Sequence, residues 1–270
     1  STIVRSPALP LTAVLLAAAV ALVGCTADTE PTDEPSGAAS SPAADPATAA
    51  PTPTPVATET AIETPAECET LDLAAGTVAG AELGPCVQAM LVRYDSGILT
   101  LAGDEIAGEV AYHYDPMFEF RGDLETGAGP AAISFVDGVM LLDEGEGPVV
   151  ADVDGATPEE QSAGATAEAY RVFSDPGFIG DLIGEGESWT VSSAPEPVDL
   201  PGGEAIDAYR IDAAAPYAWF DIPIDAYTLW LTADARPVTA ESTTAFLGRT
   251  ATVTQQLSQL GEPVTILPLS

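Results

Sequence analysis

The sequence predicts an α+β fold in which one antiparallel sheet carries helices on one face. Three observations predict it. From Gly97 onward, apolar residues recur at every second position in most segments, which is the spacing of strands. A helical stretch that begins near Thr157 interrupts these segments, so the order along the chain is strands, helices, strands. Short turns join the strands, which favours antiparallel pairing.

The first 24 residues predict an export signal. One positive charge at Arg5 precedes an apolar run from Leu11 to Val23, which is too short to cross a bilayer comfortably. Leu22-Val23-Gly24-Cys25 resembles a lipobox, in which the cysteine is acylated and the chain is cut before it. We therefore expect an extracytoplasmic protein that Cys25 anchors to the cell membrane. The alternative is an uncleaved anchor helix with an incidental cysteine.

Residues 25–66 contain the acylated cysteine and a predicted disordered linker. The linker consists almost entirely of Ala, Thr, Pro, Ser, Asp and Glu, with repeated Pro-Thr at residues 51–55 and no aromatic residue. Such a composition cannot bury a core. We expect a tether that holds the folded domain, residues 67–270, away from the membrane.

The chain is strongly acidic. It has 42 Asp and Glu against seven Arg and no Lys, for a net charge of −35. Residues 67–270 carry 35 of these acidic residues and six of the Arg, so the acidity belongs to the folded domain. This charge repels phosphate backbones, and we expect no nucleic-acid partner.

Two further cysteines, Cys68 and Cys86, lie in the exported part of the chain, where disulfides can form. We expect them to pair, which would stabilise the fold by about 3 kcal/mol by closing a short loop. Two buried free thiols are the alternative.

Several segments carry local signals for strands and turns. Asp137-Gly138 separates two apolar runs and predicts a hairpin with a type I′ turn. The alternating residues before it are Val110, Tyr112 and Tyr114, then Phe118 and Phe120, then Ile133 and Phe135. Later strands are predicted at Trp189–Val191, Ala205–Ile211, Tyr227–Thr232, Val238–Ser242 and Ala251–Leu257.

Thr157-Pro158-Glu159-Glu160 predicts a helix start, with Thr157 as the N-cap, Pro158 at the first position and Glu160 completing a capping box. Asp175-Pro176-Gly177 should interrupt this helix before a second helical piece follows.

Five segments in a fixed order carry a family resemblance. They are the lipobox at Cys25, Val136–Val139, Ser174–Pro176, Tyr227–Val238 and Leu260–Ile266. In this order they resemble the LppX/LprG type of lipoprotein in the LolA-like superfamily, over most of residues 90–267. The resemblance implies a curved antiparallel half-barrel packed against helices, with an apolar cavity between them that in some members holds acylated lipids. The extreme acidity and the segment with Cys68 and Cys86 depart from the pattern, so ligand identity is not carried over.

Eight apolar residues are the candidates for lining such a cavity: Phe118, Phe120, Ile133, Phe135, Met140, Phe178, Ile179 and Ile183. An ordinary filled core is the alternative interpretation of the same residues.

The sequence carries little that predicts an enzyme or a metal site. His113 is the only histidine, and no Gly-x-Ser-x-Gly segment accompanies it, so we expect no catalytic residues. Asp152, Asp154 and Glu159 or Glu160 cluster near the helix start, but their spacing is too compressed for a calcium loop. We expect no metal and no cofactor.

These predictions combine into one hypothesis and one rival. The hypothesis is a monomeric, membrane-anchored lipoprotein that binds, and could carry, an acylated lipid or another apolar ligand. The rival is an envelope interaction or structural lipoprotein with a filled core and no small-molecule ligand. An extracytoplasmic hydrolase ranks last, since it needs converging carboxylates that the sequence cannot place.

Overall fold

A computed structural model describes residues 62–200, 203, 205–220, 222–246 and 249–270. The chain divides into two units, Ser1–Ala57 and Thr58–Ser270, and all described residues belong to the second, which is compact. The predicted export signal, Cys25 and most of the predicted linker lie outside the described residues. No helix within the described ranges has the length and hydrophobicity needed to cross a membrane.

Fourteen strands and three α-helices make up the described part of the second unit. The helices are α1 Gly80–Tyr94, α2 Pro158–Ser174 and α3 Ile179–Gly184. The strands are β1 Thr77–Ala79, β2 Ser96–Gly103, β3 Ile106–His113, β4 Glu119–Thr126, β5 Gly129–Val136, β6 Val139–Asp143, β7 Val149–Val150, β8 Ser188–Val191, β9 Glu196–Asp199, β10 Ala205–Ala213, β11 Tyr217–Trp219, β12 Ile222–Leu231, β13 Pro237–Phe246 and β14 Arg249–Ser258.

The strands form one open antiparallel sheet. Its order is β1-β8-β10-β12-β13-β14-β2-β3-β4-β5-β6-β7, with β11 paired to β12 and β9 to β10. Strands β1 and β7 are the two ends, so the sheet does not close on itself. The predicted α+β class with an open antiparallel sheet is confirmed.

Local turn chemistry accounts for the hairpin between β5 and β6. Asp137 and Gly138 have φ values of 51° and 77°. Both are positive, as a type I′ turn requires, and Val136 pairs directly with Val139. The predicted hairpin is confirmed.

Helix α2 begins as the sequence predicts. The Thr157 hydroxyl accepts a hydrogen bond from the Glu160 N–H at 3.2 Å, and the Glu160 carboxylate accepts one from the Thr157 N–H at 3.0 Å. This reciprocal pair is a capping box, with Pro158 at the first helical position. The helix ends at Ser174, a short 3₁₀ turn follows at Pro176–Phe178, and α3 begins at Ile179.

The core lies between one face of the sheet and the helices. A row of directly paired residues crosses six strands on this face: Leu257, Leu99, Val110, Gly122, Ile133 and Leu142. All six are buried. Leu83, Val87 and Leu91 of α1 belong to the same core cluster. The core-facing side of the sheet is called the inner face below.

Two contacts hold α1 in place. Cys68 and Cys86 form the predicted disulfide, which joins the segment before β1 to α1. On its other side, α1 approaches α3 so closely that a Cβ on Gly84 would overlap the carbonyl oxygen of Gly180. The position of helix α1 is therefore fixed by the Cys68–Cys86 disulfide and by the close packing of Gly84 against Gly180 of α3.

Candidate functional site

A small pocket lies between the helices and the inner face of the sheet, and we call it the seam pocket. Its volume is about 20 Å³. This space suits roughly one water molecule, far below the roughly 300–1,000 Å³ of ligand sites. The seam pocket as it stands is therefore not the acyl-sized cavity that the resemblance implies. Its lining residues are Val87, Leu99, Ile179, Ile183, Tyr227, Leu229, Trp230, Leu231, Pro237, Thr239, Ala240, Gln255 and Leu257.

The structure divides the eight candidate cavity residues into groups. Ile179 and Ile183, on α3, line the seam pocket. Phe118, Phe120, Ile133, Phe135, Met140 and Phe178 are outside its lining, and all six pack in or against the main core. Their role as the lining of an occupied cavity stays a prediction.

Four of the aromatic residues around β3 to β5 form a continuous stack. The ring centroids of Tyr114 and Phe118 are 5.0 Å apart, and those of Phe118 and Phe120 are 5.8 Å apart. Phe135 lies 6.3 Å from Phe120. These distances are those of favourable aromatic pairs.

Phe178 lies apart from this stack at the junction of α2 and α3. Its ring is 5.0 Å from that of Trp219, and the Arg171 guanidinium lies 4.3 Å from its centroid. The second contact is a cation–π interaction.

Hydrogen bonds tie the α2–α3 junction to α1 and β3. Tyr114 Oη donates to the Pro176 carbonyl oxygen at 3.2 Å, and Gln88 Nε2 donates to Tyr114 Oη at 3.2 Å. The Gly180 N–H donates to Gln88 Oε1 at 3.2 Å. The side chain of Gln88 therefore connects the start of α3 with the sheet.

Asp175 completes this junction as a buried carboxylate. Its oxygens accept hydrogen bonds from Arg171 Nε at 3.0 Å and from the Gly177 N–H at 2.9 Å. Burial raises the pKa of Asp175, and the Arg171 guanidinium lowers it in part. The charged carboxylate is held by directed partners at the point where the helix breaks.

A group of hydroxyl-bearing residues on β11, β12 and β13 faces the core, and we call it the polar patch. It consists of Tyr217, Tyr227, Ser242 and Thr244. Tyr227, Ser242 and Thr244 are buried, and the hydroxyl oxygens of Tyr217, Tyr227 and Thr244 are buried without a hydrogen-bond partner. Burial raises the pKa values of Tyr217 and Tyr227.

The sequence analysis did not predict the polar patch, although a signal was present. Val238, Ala240, Ser242 and Thr244 alternate on one face of β13, so a predicted core face changes from apolar to polar along the strand. The sequence pattern could not have placed Tyr217 in the patch, because Tyr217 reaches it only through the pairing of β11 with β12.

Three of the residues considered for catalysis or metal binding, His113, Asp152 and Glu160, have local partners. His113 Nε2 lies 3.2 Å from Glu119 Oε2, its directly paired neighbour on β4. Asp152 accepts a hydrogen bond from the Asp154 N–H, and Glu160 is used in the capping box. Within the described ranges, no group of three or more His, Cys, Asp or Glu is placed to hold a metal ion.

A wide surface groove of about 990 Å³ lies between residues 63–67, α1 and α3. Its lining includes the carboxylates Glu63, Glu67, Asp181 and Glu185, together with Arg93, which pairs with Glu63 at 3.2 Å. These charges make the groove a poor match for an acyl chain.

No protein-family model matches the chain, and no curated protein matches it significantly. The chain is similar to LprF from Mycobacterium bovis, at 12% identity and a TM-score of 0.42, over 70% of this chain and 96% of that one. It is also similar to a LolA superfamily protein from Nitrosomonas europaea, at 13% identity and a TM-score of 0.29, over 71% of this chain and 96% of that one. At these identities and TM-scores, neither likeness assigns a ligand, an activity or a partner to this chain.

Proposed function

We propose that the chain is an extracytoplasmic lipoprotein, anchored to the cell membrane by acylated Cys25, whose domain binds an acylated lipid or another apolar ligand between sheet and helices. The observation that carries the proposal is the seam pocket. Its lining is mostly apolar and comes from α1, α3 and four neighbouring strands, with Thr239 and Gln255 as the polar members besides the hydroxyl of Tyr227. Because the sheet is open, α1 and α3, and not a second sheet, cover this apolar surface.

Ligand entry requires α3 to move away from the sheet, since the seam pocket holds about 20 Å³. Helix α3 has only six residues, and its buried apolar residues are Leu182 and Ile183. Exposing these two side chains would cost roughly 5 kcal/mol. An acyl chain of about sixteen methylenes gains roughly 13 kcal/mol gross on burial, which leaves a remainder to offset the entropy of association. The ligand itself therefore stabilises the open form.

The test is recovery of lipid with the purified protein. The full chain is expressed in a bacterium, extracted from membranes in mild detergent and examined by native mass spectrometry followed by lipid extraction. We expect bound lipid on the wild-type chain and several-fold less on Ala240→Met, because Ala240 lines the seam pocket and the longer side chain would fill it. Val153→Met is the matched control, since Val153 is 52% exposed and does not line the pocket.

The same preparation tests the anchor. We expect an acyl group on Cys25 at the N-terminus of the mature chain, and the loss of both the acyl group and the cut before residue 25 in Cys25→Ser. Repeated recovery of the wild-type chain without lipid, under conditions that retain lipid on a known carrier, would overturn the binding proposal while leaving the anchor intact.

The rival function is an envelope interaction lipoprotein with a filled core, and the small volume of the seam pocket favours it. If the core is filled, Ala240→Met would lower the free energy of unfolding through overpacking and would leave the lipid content unchanged. The lipid measurement therefore separates the two functions.

A further inference from the structure

We infer that the polar patch binds the uncharged, oxygen-bearing head of an amphiphile whose hydrocarbon chain occupies the seam pocket; this inference rests on the proposed function. Tyr227 belongs to both features, because it lines the seam pocket and its hydroxyl is part of the patch. A ligand that extends from one to the other would present apolar atoms to α3 and oxygen atoms to the patch.

Strand register brings the patch together. Ile224 on β12 is directly paired with Tyr217 of β11 on one side and Thr244 of β13 on the other. Tyr227, the next buried residue along β12, is directly paired with Ser242. Directly paired residues share a face of the sheet, so these four side chains lie around Ile224 on the inner face.

The unpaired hydroxyls are the reason to expect a ligand. Tyr227 is 2% exposed and Thr244 is 1% exposed, yet neither hydroxyl oxygen has a hydrogen-bond partner. The hydroxyl oxygen of Tyr217 is also buried without a hydrogen-bond partner. A buried polar group without a partner costs free energy, and native proteins rarely leave one unsatisfied. Three within one patch indicate a binding partner that supplies hydrogen bonds.

The chemistry of the patch residues indicates which class of head group would bind. The four patch residues offer only hydroxyls, which can donate to an ester or accept from an alcohol. None of the four carries a positive charge. A buried anionic head would therefore have no cationic partner within the patch, which is costly. A monoacylglycerol has the expected combination of one acyl chain, one ester and free hydroxyls.

The experiment compares three probes that differ in the head group: monoolein, oleate and octadecene. Each is incubated with the delipidated full chain, and native mass spectrometry measures retention. We expect wild-type protein to retain monoolein at least tenfold more strongly than either other probe, since each hydrogen bond lost is worth about a factor of ten. Tyr227→Phe and Thr244→Val should each lose about this factor for monoolein.

Thr243→Val is the matched control, because Thr243 lies on the opposite face of β13, is half-buried there and hydrogen bonds to Thr252 at 2.9 Å. It should retain monoolein like the wild-type chain. Thermal unfolding adds a second readout. Without a ligand, Tyr227→Phe should have a higher Tm than wild type, because it removes an unpaired buried hydroxyl. With monoolein present, the wild-type chain should gain more in Tm than the variant.

The outcomes separate the two claims. Equal retention of monoolein by wild type, Tyr227→Phe and Thr244→Val would overturn the inference, as would preferred retention of oleate or octadecene, and the proposed function would stand. Equal retention is also the result expected if ordered water alone satisfies the hydroxyls. Failure of the wild-type chain to retain any of the three probes would overturn the proposed function, and the inference with it.

Discussion

Asp175 is a carboxylate that folding removes almost completely from water, with 4% of the residue exposed. Burial raises its pKa above the ordinary value and a nearby Glu168 adds to this, while Arg171 opposes it. Since the folded pKa is the higher one, the native state binds more protons than the unfolded state. The contribution of Asp175 to stability therefore falls as pH rises between the two pKa values.

We predict that lowering the pH from neutral toward the ordinary aspartate pKa of about 4 stabilises the wild-type chain relative to Asp175→Asn. Asparagine keeps the shape of the side chain and an acceptor for the Gly177 N–H, but it does not titrate. Urea unfolding of both chains across this range measures the difference in free energy of unfolding. A difference that is constant, or that grows as pH rises, would contradict the shifted pKa.

Single residues could be predicted from the sequence where their chemistry is local. Thr157 and Glu160 lie three residues apart and need only each other to form the capping box. Asp137 and Gly138 form their turn from adjacent positions. The polar patch could not be predicted from adjacent positions, because it depends on which strands pair. Tyr217 and Thr244 come together because both are directly paired with Ile224 on β12.

Helix α1 is the α-helix that the sequence analysis missed, and its contacts give the reason. It contains Gly80, Gly84 and Pro85, residues that weaken an isolated helix. Gly84 is needed because α3 approaches there, with the backbone of Gly180 and Gly184 in the place a Cβ would occupy. Tertiary packing and the disulfide at Cys86 thus determine this helix more than local propensity does.

We predict that Gly84→Ala lowers the free energy of unfolding by about 1–3 kcal/mol, since the added methyl group would overlap the backbone of α3. Gly184→Ala is the matched control on the other helix. Outside its own helix, the nearest atom to its Cβ would be the Gly80 carbonyl oxygen at 4.0 Å, and alanine favours helix by up to about 1 kcal/mol. Chemical unfolding of both variants measures the effect. If both variants are equally stable, the close approach of α1 and α3 does not constrain residue 84.

The overall architecture followed from the sequence better than the site did. Period-two alternation and turn signals predict the strands and their antiparallel pairing, and the open sheet confirms the α+β class. The volume between sheet and helices could not be predicted, because it depends on how far α3 lies from the sheet. A residue such as Ile183 has the same pattern in the sequence whether it lines a ligand cavity or fills a core, and here it lines a space for roughly one water.

Because the folded domain is strongly acidic, its thermal stability should depend on salt concentration. Residues 67–270 carry 35 acidic residues and six Arg, so like charges repel across the folded surface. The Debye length falls from about 30 Å at about 0.01 M salt to about 8 Å at about 0.15 M, which screens most of this repulsion. We predict that the Tm of the domain rises over this range and then flattens.

A second effect of salt, strengthened hydrophobic burial, would instead require a strongly excluded salt such as sulfate at higher concentration. Thermal unfolding in sodium chloride, with sucrose at matched osmolarity as the uncharged control, separates the two effects. A Tm that does not change below about 0.15 M salt would mean that the native and unfolded chains repel themselves equally.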